Sequence, residues 1–244
     1  MTGGAGLRVT ARPIVVYDAN VLYPAQLRDL LMRLAVAGLV RAHGSDQIHA
    51  EWMAHVCARH PDVRREQLER TRVLTEHALP SARVEGYERH VASISLPDPA
   101  DRHVVAAAIE AEAQAVVTFN LRDFPHEVLK PHGLRAVHPD AFVVSLYEAH
   151  PDPVVQVMHA HRISLRRPLK SPEEYLAELA RGGLTQTVTA VRAVTPSCNH
   201  SRPVPLSLRE RFIAEQFTIH ERKSKAIGSC SPRKNTRRVL STRL

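Results

Sequence analysis

Cysteine is scarce in this chain of 244 residues: Cys57, Cys198 and Cys230 stand far apart and are odd in number. They form neither a disulfide framework nor the paired spacing of a zinc site, which favours a reducing cytoplasm. Long apolar runs are missing too. None approaches the roughly 20 residues that span a bilayer, so no membrane partner is expected. The segment Met1–Arg12 lacks the apolar stretch of a secretory signal. Internal repeats are also absent.

What is present is the balance of a globular protein, 44% hydrophobic and 24% charged. The net charge of +8 is unevenly placed. Residues 195–244 hold 11 Lys or Arg against 3 Asp or Glu, and the first 194 residues carry 22 of each sign. A basic nucleic-acid-binding surface on the folded part does not follow from such a distribution.

The run Pro13-Ile-Val-Val-Tyr17 is short, apolar and β-branched, as in a strand buried on both faces of a parallel sheet. Helical spacing follows over about 25–40, 46–59, 63–77 and 100–113. Further apolar strands are expected at 115–119 and 134–137, with the strand content between 41 and 99 left open. Alternating strands and helices argue for an α/β sheet with helices on both faces. After Pro139 the pattern is helical only. Ser171-Pro172-Glu173-Glu174 has the capping-box form of a helix start, and Gly182-Gly183 a helix stop. Leu184, Val188 and Val191 then mark one more helix. The expected organisation is a flexible N-terminus (1–12), an α/β domain (13–145), a helical extension (146–194) and a basic tail (195–244). In the tail only Leu208 to Phe217 has helical spacing and disorder is the default; it reads as an RNA-binding arm or a dispensable solvated segment.

Ligands of open parallel sheets bind beyond the carboxyl ends of the strands, and that rule selects acids by position. Asp18 closes the first strand in Val15-Val-Tyr-Asp18-Ala-Asn20, where it could otherwise cap the next helix. Glu51 lies inside a helix capped by Ser45 or Asp46, where a solvated face is its plainer role. In Asp98-Pro-Ala-Asp101-Arg-His, Asp98 fits the cap and Asp101 is left for chemistry, although the helix dipole alone accommodates both. Thr118-Phe-Asn120-Leu-Arg-Asp123 ends a second buried strand in a polar loop, where Asp123 could equally be a turn residue. Carboxylates gathered within a few ångströms cannot all ionise unless a cation intervenes. An all-oxygen set suits Mg²⁺ or Mn²⁺ and points to phosphodiester hydrolysis.

At these residues the sequence resembles the PIN-domain nucleases, especially the VapC-type toxins of bacterial toxin–antitoxin pairs. The resemblance rests on Val-Val-Tyr-Asp18-Ala-Asn20-Val-Leu, on Glu51, on Asp98-Pro-Ala-Asp101-Arg-His-Val-Val-Ala-Ala-Ala and on Val-Thr118-Phe-Asn120-Leu-Arg-Asp123-Phe, and covers about residues 13–145. It implies a three-layer α/β/α fold and a divalent-metal ribonuclease. Asp18 and Asp101 would be primary ligands of Mg²⁺ or Mn²⁺, with Glu51 and Asp123 completing a second metal site or orienting water. Asn20, Thr118 and Asn120 would hold the carboxylates in place. The resemblance further implies an RNA substrate, a cognate antitoxin and homodimerisation. The compact toxins are little longer than the matched region, whereas here some 50 helical residues and a basic tail follow it.

Other readings fit less well. A dehalogenase-type phosphatase needs a second Asp where Asn20 stands, a Rossmann domain needs a Gly-rich turn, and a receiver domain needs an earlier acidic pair and a late Lys. A PIN-type nuclease acting on DNA, or a non-catalytic RNA-binding scaffold relying on the basic tail, remain the alternatives.

Overall fold

The structure is a computed structural model that describes residues 12–165 and 170–194. The flexible N-terminus expected before residue 12, the basic tail with its possible helix at 208–217, and Cys198 and Cys230 lie outside the described residues.

Four parallel strands form the sheet in the order β2-β1-β3-β4. They are β1 (Ile14–Tyr17), β2 (Arg41–His43), β3 (Ala115–Val117) and β4 (Ala136–Val137). Strand β1 pairs with β3 through Val15↔Ala115, Val16↔Val116 and Tyr17↔Val117, and with β2 through Ile14↔Arg41. All of β3 is buried, as an apolar run in a central parallel strand must be. The edge strand β2 was not legible in the sequence: three residues with an exposed Arg41 carry no apolar signature.

Helices α1 (Ala19–Leu22) and α2 (Ala25–Val36) connect β1 to β2. Next come α3 (Asp46–Arg59), α4 (Arg65–Ala78), α5 (Glu88–Val91) and α6 (Arg102–Glu110), and α7 (His126–Leu129) lies between β3 and β4. Helix α6 lies against β1 and β3, its Ala106-Ala107-Ala108 allowing close approach of helix to sheet. The result is a three-layer α/β/α body. No helix among the described residues is long and apolar enough to cross a membrane.

Helices α8 (Pro139–Ala149), α9 (Pro151–Ser164), α10 (Pro172–Arg181) and α11 (Thr185–Val194) follow. The capping box forms at α10: Ser171 Oγ accepts from Glu174 N at 3.2 Å, and Ser171 N donates to Glu174 Oε2 at 2.8 Å. Tyr175, Leu179, Leu184 and Val188 belong to the same apolar cluster as the strands, so this helical part shares the body's core.

Two buried polar groups of contacts fasten it. Arg33 on α2 donates to Asp29 Oδ1 at 2.8 Å and to Ser164 Oγ at 3.1 Å, while His161 Nδ1 lies 2.9 Å from the Tyr175 hydroxyl. Asp140 on α8 accepts from Gln186 N, Thr187 N and Thr187 Oγ1, each at 2.8 Å. It thereby caps the start of α11, where the backbone N–H groups have no partner within the helix.

Asp140→Ala would remove the charged acceptor of the buried Thr187 N–H and of the part-buried Gln186 N–H. Unfolding in urea should show a loss of about 2–4 kcal/mol. A loss below about 0.5 kcal/mol would mean that the cap does not fasten α11.

Candidate active site

The ladder carries the backbone one residue past each central strand. Asp18 N donates to Val117 O at 3.1 Å, and Thr118 N donates to Val137 O at 3.0 Å. Asp18 and Thr118 are therefore fixed side by side at the carboxyl end of the sheet, where the chain leaves β1 towards β2 on one side and β3 towards β4 on the other.

Asp18 is only 5% exposed. Its Oδ2 accepts from Asn20 Nδ2 at 2.6 Å and from Thr118 Oγ1 at 2.7 Å. The Thr118 hydroxyl donates its single proton to Asp18 and accepts from Asn20 Nδ2 at 2.8 Å and from Asn120 N at 3.0 Å. One donor and two lone pairs are all used, so this hydroxyl is saturated. Asn120 also donates through Nδ2 to Asp123 Oδ2. Asp98 accepts from Ala100 N at 2.8 Å and caps the turn that presents Asp101.

Glu51 reaches the site from α3, which Ser45 caps by accepting from Ile48 N at 3.3 Å. Trp52 beside it is buried under the Arg28 guanidinium, 4.4 Å from the ring centre, which holds this helix on the neighbouring α1–α2 region. Glu51 Oε1 lies 2.8 Å from His103 Nε2 on α6. No spacing or motif in the sequence marks His103 as part of the site. It is 3% exposed, and its Nδ1 has no hydrogen-bond partner. A histidine within an otherwise apolar helical face was the available signal.

Electrostatics tie the acids together. Burial pushes the Asp18 carboxyl above its ordinary range; the Thr118 hydroxyl and the N–H groups of Ala19 and Asn20 oppose that shift, and the charge of Glu51 adds to it. The Asp101 carboxyl is pushed up to about 6, first by burial and then by the charges of Asp18, Asp98, Asp123 and Glu51. Among the described residues no Lys or Arg is ion-paired with Asp18, Asp101 or Asp123.

Nor do the described residues close a ready-made cage: no three of their His, Cys, Asp and Glu side chains stand as a metal-holding group. Glu51 is turned towards His103, and Asp123 towards Asn120. The donor set itself, carboxylates with amide and hydroxyl supports, has the hard-oxygen chemistry of Mg²⁺ or Mn²⁺.

The raised Asp101 pKa has a stability consequence. The folded chain keeps this proton above the ordinary value of 3.8, so Asp101 contributes stability to the metal-free fold that is fully present below about pH 4. That contribution is lost as the pH rises through about 6. Asp101→Asn should stabilise the metal-free protein at pH 7.5 by about 1 kcal/mol, allowing for solvent screening. Urea unfolding at pH 4 and 7.5 measures this; equal stability of variant and wild type at pH 7.5 would contradict the repulsion.

Comparison with known proteins adds a family to this geometry. Residues 14–122 match the PIN domain family, and residues 139–193 match the VapC50 C-terminal domain. "Putative ribonuclease VapC50" of Mycobacterium tuberculosis (strain ATCC 25618 / H37Rv) is 49% identical over 51 residues, which are 20% of this chain and 30% of that relative's length. No solved structure matches the chain. With a PIN domain and a VapC50-type C-terminal domain following one another along its length, the chain belongs to the PIN-domain proteins of the VapC type.

Proposed function

We propose that this protein is a divalent-metal-dependent endoribonuclease and the toxin of a toxin–antitoxin pair. The observation that carries the reading is the group of mutually repelling carboxylates at the carboxyl end of β1 and β3, with no Lys or Arg among the described residues ion-paired to Asp18, Asp101 or Asp123. Such a set is a standing demand for a bound cation.

Asp18 and Asp101 would hold Mg²⁺ or Mn²⁺, with Glu51 and Asp123 orienting water or holding a second ion. When bound, the ion supplies charge neutralisation at the phosphate and acidifies a coordinated water. The protein's own share is positional. Asn20 and Thr118 fix the Asp18 carboxylate, Asn120 fixes Asp123, and the Asp98 cap presents Asp101. The VapC-type C-terminal domain and a relative whose name includes "ribonuclease" support RNA over DNA as substrate. A cognate antitoxin covering the pocket and a cytoplasmic location accord with that type, as does a homodimer.

One observation favours a second reading, a non-catalytic RNA-binding protein on the same body: the carboxylates as placed do not form a closed metal cage. Cleavage of total cellular RNA by purified protein, in Mg²⁺, in Mn²⁺ and in EDTA, separates the two. The nuclease reading expects discrete cuts in either metal, none in EDTA, and none from a folded Asp18→Asn variant. RNA binding without cleavage in any metal would establish the second reading, and cleavage undiminished in Asp18→Asn would displace the site.

A further inference from the structure

Phe119 links the pocket to the C-terminal helices. At its backbone end, Phe119 N donates to Asn20 Oδ1 at 3.1 Å. That bond orients the Asn20 amide so that Nδ2 faces Asp18 at 2.6 Å and Thr118 at 2.8 Å. At its other end the Phe119 ring stands edge-on to His138, with centroids 5.2 Å apart. The ring also lies against Gly183, where a Cβ would come within 3.1 Å of Phe119 Cε1.

Both of those supports belong to the part that fastens the C-terminal helices. Gly183, with φ +95°, makes the turn between α10 and α11. His138 Nδ1 accepts from Asp140 N at 3.2 Å, and the Asp140 carboxylate caps α11. An unbroken set of contacts thus runs from the α10–α11 turn through the Phe119 ring to Asn20 and Asp18.

We propose that Phe119 is a positioning residue through which the C-terminal helices hold Asn20, and with it the Asp18 carboxylate, in its binding geometry. The inference rests on the metal-site reading above for its consequence, though not for its geometry. It gives the helical module a part in the site without contact with substrate. Glycine at 183 is required here by two constraints at once: a left-handed backbone and the approach of an aromatic ring. A methyl group at 183 pushes the ring, the ring shifts the Phe119 N–H, and Asn20 loses its register on Asp18. Supports of this kind change metal affinity or activity by about 10–100-fold when removed.

The test is a double-mutant cycle in the full chain with Gly183→Ala, Phe119→Leu and both together. Backbone strain at 183 is common to both Ala-containing proteins and cancels, whereas the clash with the ring is relieved only in the double variant. Two readouts are taken from each folded protein: the NMR signals of the Asn20 side-chain amide without metal, and Mn²⁺ affinity by calorimetry. Expected is a displaced Asn20 signal and an affinity weakened by about 10-fold in Gly183→Ala, with both largely restored in the double variant. An unmoved Asn20 signal in Gly183→Ala, or additive effects in the double variant, would overturn the proposal. A wild-type protein that binds no Mn²⁺ would sink the metal-site reading alone, and the Asn20 signal would still decide the role of Phe119.

Discussion

Parallel pairing of β1 with β3 sets the position of everything else in the site. Because the ladder extends past the strands, the Asp18 N–H reaches Val117 O and the Thr118 N–H reaches Val137 O. An acid and a hydroxyl, 100 positions apart in sequence, become neighbours on a frame that cannot slide without breaking backbone hydrogen bonds. A slip by one residue would exchange the faces to which Val117 and Thr118 point and dismantle the Asp18–Thr118–Asn20 contacts.

That frame holds groups that repel one another. Asp18 is buried, Asp101 is raised by its acidic neighbours, and the described residues bring no Lys or Arg into ion pairing with either. A site of this kind opposes folding, and other parts of the structure must offset it. The Val- and Ala-rich contact of α6 with the sheet does so by apolar burial, and the Asp29–Arg33–Ser164 and Asp140–α11 contacts do so by satisfying buried polar groups in full. Where a pocket is destabilising and its surroundings are well satisfied, the pocket is the part retained for function.

The sequence made the end of β1 visible because a buried parallel strand reads as an apolar run that stops abruptly, at Asp18. The run over 115–119 showed β3 two residues longer than the paired Ala115–Val117, since Phe119 continues the apolar pattern beyond the ladder. The cap at Asp98 and the capping box at Ser171 were visible too, since local hydrogen bonding uses fixed spacings. Strand β2 was hidden: Arg41-Ala-His43 at a sheet edge is too short for any period to register. His103 against Glu51 and Phe119 against Gly183 were hidden for another reason. Each is a contact between distant segments that only the packed fold defines, and neither alters a local pattern. The orientation of Glu51 towards His103 likewise depends on how α3 meets α6, a relation the chain's periodicity does not contain.

The central claim is that Asp18 and Asp101 share one divalent cation. Anomalous diffraction from crystals of the full chain grown with Mn²⁺ addresses it directly. The account predicts a peak within about 2.5 Å of carboxylate oxygens of both residues, with Glu51 or Asp123 turned towards it. Ordered Asp18 and Asp101 side chains with no peak between them, or a peak elsewhere in the molecule, would contradict it.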